Sequence, residues 1–207
     1  MICGLVDYGR GNLCSVEKAL HKSGVNVKRL TQPEDFLEID LVVFPGQGHF
    51  GEAIQRMTAL GMVDSVKQWL VDDKPFLGIC LGFQLLFASS EESPEEGLGW
   101  IPGKVVKFST DVGKVPHMGW NQVEFLERKH ALFNSSNGSC SLPYFFHVHS
   151  YYPTEVPEEF VACRTSYGIS FVSGVQKGNA YAYQFHPEKS QENGLKLLEN
   201  FVSRFAA

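Results

Sequence analysis

Phe76-Leu77-Gly78-Ile79-Cys80-Leu81-Gly82-Phe83-Gln84-Leu85-Leu86-Phe87 is the stretch whose reading decides the fold. The turn Asp72-Asp73-Lys74-Pro75 precedes it, and Phe76 to Ile79 is a short apolar run, the signature of a buried strand. A helical pattern begins directly after Cys80, with Gly78 and Gly82 two residues to either side. This is the spacing of a nucleophile elbow with Cys at its tip. Side chains at the two glycines would collide with backbone in so tight a strand-to-helix turn. The turn lifts the sulfur above the sheet and sets it at a helix N-terminus, where the dipole and free N–H groups favour thiolate. It also places the Leu81 N–H to bind an oxyanion. A cysteine packed between core glycines would carry the same letters, so the rest of the sequence must supply its partners.

Upstream, strand and helix signals alternate. Ile2 to Val6, Val25 to Leu30 and Leu41 to Phe44 read as strands. Asn12 is placed to cap a helix carrying Leu13, Val16, Ala19 and Leu20 on one face, closed by Gly24. Two more helical patterns run from Gly51 to Leu60 and Val63 to Val71. Such alternation predicts a mostly parallel sheet with helices on both faces, a three-layer flavodoxin-like α/β fold. From Gly103 onward β-prone runs dominate, at 104–108, 120–126, 144–148, 160–164, 169–175 and 180–185. They predict an antiparallel strand insertion in the second half. A last helix starts near Ser190, read as its N-cap, with Leu195, Leu198, Phe201, Val202 and Phe205 on one face. Residues 1–207 read as a single domain.

Composition narrows the function classes. Hydrophobic residues are 43% and charged residues 20% of 207 residues, which fits a globular core rather than a disordered or fibrous chain. The net charge of -5, without a basic stripe, argues against nucleic acid. The longest apolar stretch, Pro75 to Ala88, is interrupted by glycines and Gln84 and is too short to span a bilayer. The start MICGLVDYGRGN lacks the pattern of a signal peptide. Cys3, Cys14, Cys80, Cys140 and Cys163 are odd in number and form no C-x-x-C pair, so the expected setting is a reducing cytoplasm without a disulfide framework.

A base for Cys80 is available in Tyr183-Gln184-Phe185-His186-Pro187-Glu188-Lys189-Ser190. His186 follows an apolar run and precedes a helix, and Glu188 stands close enough in sequence to orient its ring. Pro45-Gly46-Gln47-Gly48 follows the third strand as a glycine-rich loop able to present backbone N–H groups to an anion. Asp7-Tyr8-Gly9-Arg10-Gly11-Asn12 is a weaker glycine-rich turn, with plain turn geometry as its alternative. His147 and His149 alternate along one strand and face one side, together with His117 in the same half of the chain. No acidic residue or cysteine near them completes a metal set, and a polar pocket or inner-face histidines are favoured over a metal. The run Glu91 to Glu96 reads as a solvated loop.

Together, Pro45-Gly46-x-Gly48, Gly78-Ile-Cys80-Leu-Gly82-x-Gln84 and Phe185-His186-Pro187-Glu188 resemble the triad-type (class I) glutamine amidotransferases. Val6-Asp-Tyr-Gly-x-Gly-Asn12, Pro116-His-Met-Gly-Trp-Asn121 and His149-Ser150-Tyr151 resemble one branch, the glutaminase subunits of imidazole glycerol phosphate synthases. The likeness runs from Ile2 to about Phe201. It implies glutamine hydrolysis by Cys80, His186 and Glu188, with Gln47 and Leu81 forming the oxyanion site. It implies that Gly48, Gln84, His149, Ser150 and Tyr151 surround the bound glutamine, without cofactor. It implies delivery of ammonia to a (β/α)8-barrel cyclase subunit. No barrel-length segment follows Ala207, so that partner is expected on a separate chain, in a heterodimer of histidine biosynthesis. The family loop usually reads Pro-Gly-Val-Gly, and Gln47 departs from it at a position valued for its backbone N–H. Two alternatives stand beside this reading: a paralogous subunit serving sugar amidination, and another cysteine hydrolase on the same fold.

Overall fold

The computed structural model describes residues 1–126, 132 and 142–206, so Cys140 lies outside the described residues. Five strands, β1 (Ile2–Val6), β2 (Asn26–Leu30), β3 (Leu41–Gly46), β4 (Phe76–Cys80) and β12 (Ala180–Tyr183), pair in parallel in the order β2-β1-β3-β4-β12. The sheet continues antiparallel through β11 (Ile169–Lys177), β10 (Val161–Tyr167), β7 (His117–Phe125) and β8 (Tyr144–His149), making nine strands. This is the expected sheet with its antiparallel extension. A second sheet, β5-β6-β9, joins Ser89–Ser90, Lys104–Lys107 and Tyr151–Thr154. Its strands β5 and β9 have too few residues for a readable alternation, and the sequence gives no sign of them.

The apolar strands are buried on both sides, and alternation divides them between two cores. Val42, Phe44, Phe76, Ala180 and Ala182 face one core with residues of α2 (Phe50–Ala59), α3 (Met62–Val71) and α4 (Leu81–Gln84). Leu41, Val43, Leu77, Ile79, Tyr181 and Tyr183 face the other with α1 (Leu13–Lys22) and α5 (Gln191–Phe205). Helices thus cover both faces, as a parallel sheet requires. Among the described residues no helix is long and apolar enough to cross a membrane.

Three local expectations need correction. The Asn12 side chain makes no capping bond to α1. Ser190 does not cap α5 either; its hydroxyl donates to the His186 carbonyl at 2.6 Å and accepts from the Phe146 N–H at 2.9 Å. The acidic run is not simply solvated. Glu92 accepts the Phe50 N–H at 2.7 Å, where the free donors and dipole of α2 favour a carboxylate, and Glu91 accepts the Lys107 N–H at 2.8 Å.

Candidate active site

Three neighbouring parallel strands, β3, β4 and β12, end on the same side of the sheet, where open α/β sheets collect their ligands. β3 runs into the Gln47 loop, β4 ends on Cys80, and β12 leads to His186. The register sets Gly46 opposite Cys80 and Tyr183 opposite Ile79. Cys80 has φ 55° and ψ -107°, a backbone that L-residues avoid and that costs roughly 1–3 kcal/mol. The flanking glycines make the turn possible: a Cβ on Gly82 would stand 1.9 Å from the Phe44 carbonyl oxygen, and one on Gly78 would stand 3.0 Å from that of Gly82. The elbow expected from the sequence is therefore present, strain included.

His186 is buried, with Nδ1 2.8 Å from Glu188 Oε1, and both side chains are 2% exposed. Burial works to strip the imidazole of its proton, but the Cys80 charge and contact, followed by Glu188, overcome it and push His186 up to about 10. The sulfur and the carboxylate thus hold the imidazole in its protonated form. Nε2 is turned toward the sulfur without closing a hydrogen bond, and Glu188 Oε2 is buried without a partner. Long contacts of this kind are common before substrate arrives.

A cavity of about 380 Å³ opens over the sulfur. Gln47, Gly48, Cys80, Leu81, Gln84, His149, Ser150, Tyr151 and His186 all line it, so every site residue expected from the sequence converges here, with Glu188 behind His186. Both N–H groups of the Gln84 amide are committed, to the Tyr151 carbonyl at 3.3 Å and to Gln184 Oε1 at 2.9 Å. Its Oε1 is the atom left to meet a ligand.

In the glycine-rich loop, Gly48 has φ +97°, a conformation that favours glycine. Gly46 does not, and serves instead by its small size. A Cβ there would stand 2.7 Å from Leu81 Cβ and 2.7 Å from the Tyr8 hydroxyl. The Gln47 N–H is turned toward that hydroxyl, which is buried and completes no hydrogen bond.

His117, His147 and His149 come together, with one ring nitrogen of each within 4.8 Å of the others. Their bonds fix the protons. His149 Nδ1 faces the Tyr151 carbonyl at 2.8 Å and so carries hydrogen, leaving Nε2 as an acceptor. The Asn121 amide donates to His117 Nε2 at 3.2 Å, so His117 Nδ1 is the protonated nitrogen and donates to His149 Nε2 at 3.1 Å. Burial drives His117 down to about 4 and His149 to about 3, so the cluster is neutral. It acts as a hydrogen-bonded chain that fixes the His149 ring in the cavity wall.

Two cavity neighbours escaped the sequence reading. Glu92 lines the cavity from within the acidic run. Gln184 is completely buried and donates from Nε2 to Cys80 Sγ at 3.7 Å. Its position beside the His-Pro-Glu triplet was the only signal available.

The chain belongs to the class-I glutamine amidotransferase family, whose model matches residues 4–205. Within it, the relatives that match nearly the full chain include imidazole glycerol phosphate synthase subunits. The chain is 46% identical over 203 residues to the imidazole glycerol phosphate synthase subunit HisH of Sulfurimonas denitrificans, covering 96% of each chain. To the HisH subunit of Desulfitobacterium hafniense it is 44% identical over 199 residues, covering 96% of this chain and 92% of the relative. It is 41% identical over 200 residues to the chloroplastic imidazole glycerol phosphate synthase hisHF of Arabidopsis thaliana, covering 96% of this chain but 33% of that larger protein. A solved structure titled as a glutamine amidotransferase superposes with a TM-score of 0.78 at 18% identity, covering 100% of both chains. PurLQS of Thermotoga maritima superposes at 0.77 with 17% identity, covering 98% of each chain. Both support the fold.

Proposed function

We propose that this chain is the glutaminase subunit of an imidazole glycerol phosphate synthase, releasing ammonia from L-glutamine for a separate (β/α)8-barrel cyclase subunit. The observation that carries the reading is Cys80 on its strained elbow beside the buried His186–Glu188 pair, in a chain with full-length likeness to HisH subunits. The wider reading is one domain over residues 1–207 in a reducing cytoplasm, where Cys3, Cys14, Cys80 and Cys163 stay free thiols.

The Cys80 thiolate attacks the carboxamide carbon of glutamine. Leu81 and Gln47 N–H groups receive the oxyanion, each worth about 2.7–4 kcal/mol. Protonated His186 passes its Nε2 proton to the departing nitrogen, ammonia leaves, and a thioester remains. Water then attacks the thioester with His186 as base, and glutamate departs with its new carboxylate. Glu188 holds the imidazole in orientation and stabilises its charge. Gln84 Oε1 and the Glu92 carboxylate supply acceptors for the α-ammonium group, while Gly48, His149, Ser150 and Tyr151 shape the remaining wall. In neutral water ammonia is mostly protonated and is then no nucleophile, which favours direct passage into a docked partner.

Cys80→Ala tests the reading. In complex with the cyclase it abolishes synthesis from glutamine and leaves synthesis from ammonium salts intact. Loss of both activities makes the cysteine structural, and retention of both moves the nucleophile elsewhere.

A further inference from the structure

The side chain of Gln184 lies between the cavity wall and the nucleophile, and its orientation is forced. The Tyr151 carbonyl can only accept, so Gln84 must present its NH₂ group there, at 3.3 Å. That same Nε2 reaches Gln184 at 2.9 Å, so Gln184 must answer with Oε1. The Gln184 NH₂ group is thereby aimed at Cys80 Sγ, 3.7 Å away. The residue has no exposed surface and its Oε1 is held by Gln84, so the amide has little freedom to turn.

We propose that Gln184 is a positioning residue for the glutaminase reaction, holding the Cys80 thiolate through an amide relay that begins at Tyr151 and passes through Gln84. The proposal rests on the reading of Cys80 as the nucleophile. The relay supplies a donor to the sulfur from a direction independent of His186. Its N–H stabilises the anion and fixes the χ1 of Cys80, while His186 stays free to move its proton. Gln84 also lines the cavity, so the residue placed to meet the substrate's polar end is joined to the nucleophile by two hydrogen bonds.

The test is the pH profile of Cys80 alkylation by iodoacetamide in the assembled complex. It is followed on the Cys80-bearing peptide, because exposed Cys14 reacts as well. Gln184→Glu keeps the size and still accepts from Gln84, but as a carboxylate it has no N–H for the sulfur. Gln184→Met removes the polar group altogether. Both variants shift the alkylation profile to higher pH and slow alkylation about tenfold at neutral pH. Both lower kcat in proportion, while ammonia-dependent synthesis by the complex is retained. A wild-type profile without a reactive thiolate at neutral pH overturns the nucleophile reading itself. A normal wild-type profile with variant profiles superimposed on it overturns the relay, even if turnover falls, because a merely structural role lowers rate without moving the profile. If Gln184→Met does not fold, Gln184→Leu takes its place, because the carboxylate of Gln184→Glu also raises the thiol by charge repulsion alone.

Discussion

His186 is subject to opposing influences, and their balance sets its chemistry. Burial alone would leave a neutral imidazole, as it does at His117 and His149. The difference is charge: Cys80 and Glu188 lie against His186 and push it from 6.5 to about 10, whereas burial dominates at the other two and the nearby charge of His186 pushes His149 further down. Below about pH 6.5 the imidazolium's contribution to folding stability is present in full. It is lost as pH rises through about 10, because the folded state gives up its proton last. The urea-midpoint difference between wild type and His186→Asn is therefore expected to shrink across that window. Activity has the same upper limit, since departing ammonia needs the imidazolium. Glu188→Gln removes one of the groups that raise His186, so the alkaline limb of kcat/KM moves to lower pH. His186→Asn removes the proton carrier itself and costs about 10²–10⁴-fold in rate. An alkaline limb unmoved by Glu188→Gln separates the carboxylate from the proton chemistry.

The elements around the site show what sequence patterning can and cannot reveal. The elbow was legible because its requirements are local: two glycines, an apolar strand and an abrupt helix leave little choice of backbone. The parallel half was legible because both its faces are buried, giving unbroken apolar runs such as Leu41 to Phe44. Long-range bonds of small side chains left no such trace. Ser190 precedes a helix and has the letters of a cap, yet it joins the His186 carbonyl to the Phe146 N–H of β8. Gln184 and Glu92 were hidden for the same reason, since their partners Cys80 and Phe50 lie far away in sequence. Ser190→Ala checks the distinction. Leaving the Phe146 N–H unpaired costs about 1–3 kcal/mol in urea unfolding, while far-UV circular dichroism reports α5 intact. Fraying of α5 without a loss of global stability would restore the capping role.

At the scale of the whole molecule, β3, β4 and β12 give the site a rigid base, and the Gln47 loop supplies the part able to change. Cys80, His186 and Glu188 are already assembled, so the partner need not build the triad. The oxyanion donor is different. The Gln47 N–H is turned toward the Tyr8 hydroxyl, which is not part of the cavity lining. Gly48 at φ +97° gives the adjoining peptide room to reorient. Loss of one oxyanion donor costs about 2.7–4 kcal/mol, or 10²–10³-fold in rate, enough to keep the free subunit nearly silent without displacing a triad residue. The cyclase with its ligand is therefore expected to activate by favouring the peptide orientation that points N–H at the oxyanion. Any such shift is limited by the differential affinity of the partner for the two orientations. Gln47→Val keeps the backbone donor and is expected to retain activation by the cyclase. Gln47→Pro deletes the donor and abolishes activation, while Cys80 remains open to alkylation. The measurement is the ratio of glutaminase rates with and without liganded cyclase. A ratio in Gln47→Pro equal to that of wild type would place the switch in the triad or the glutamine pocket, because a residue without an N–H cannot be the donor that turns.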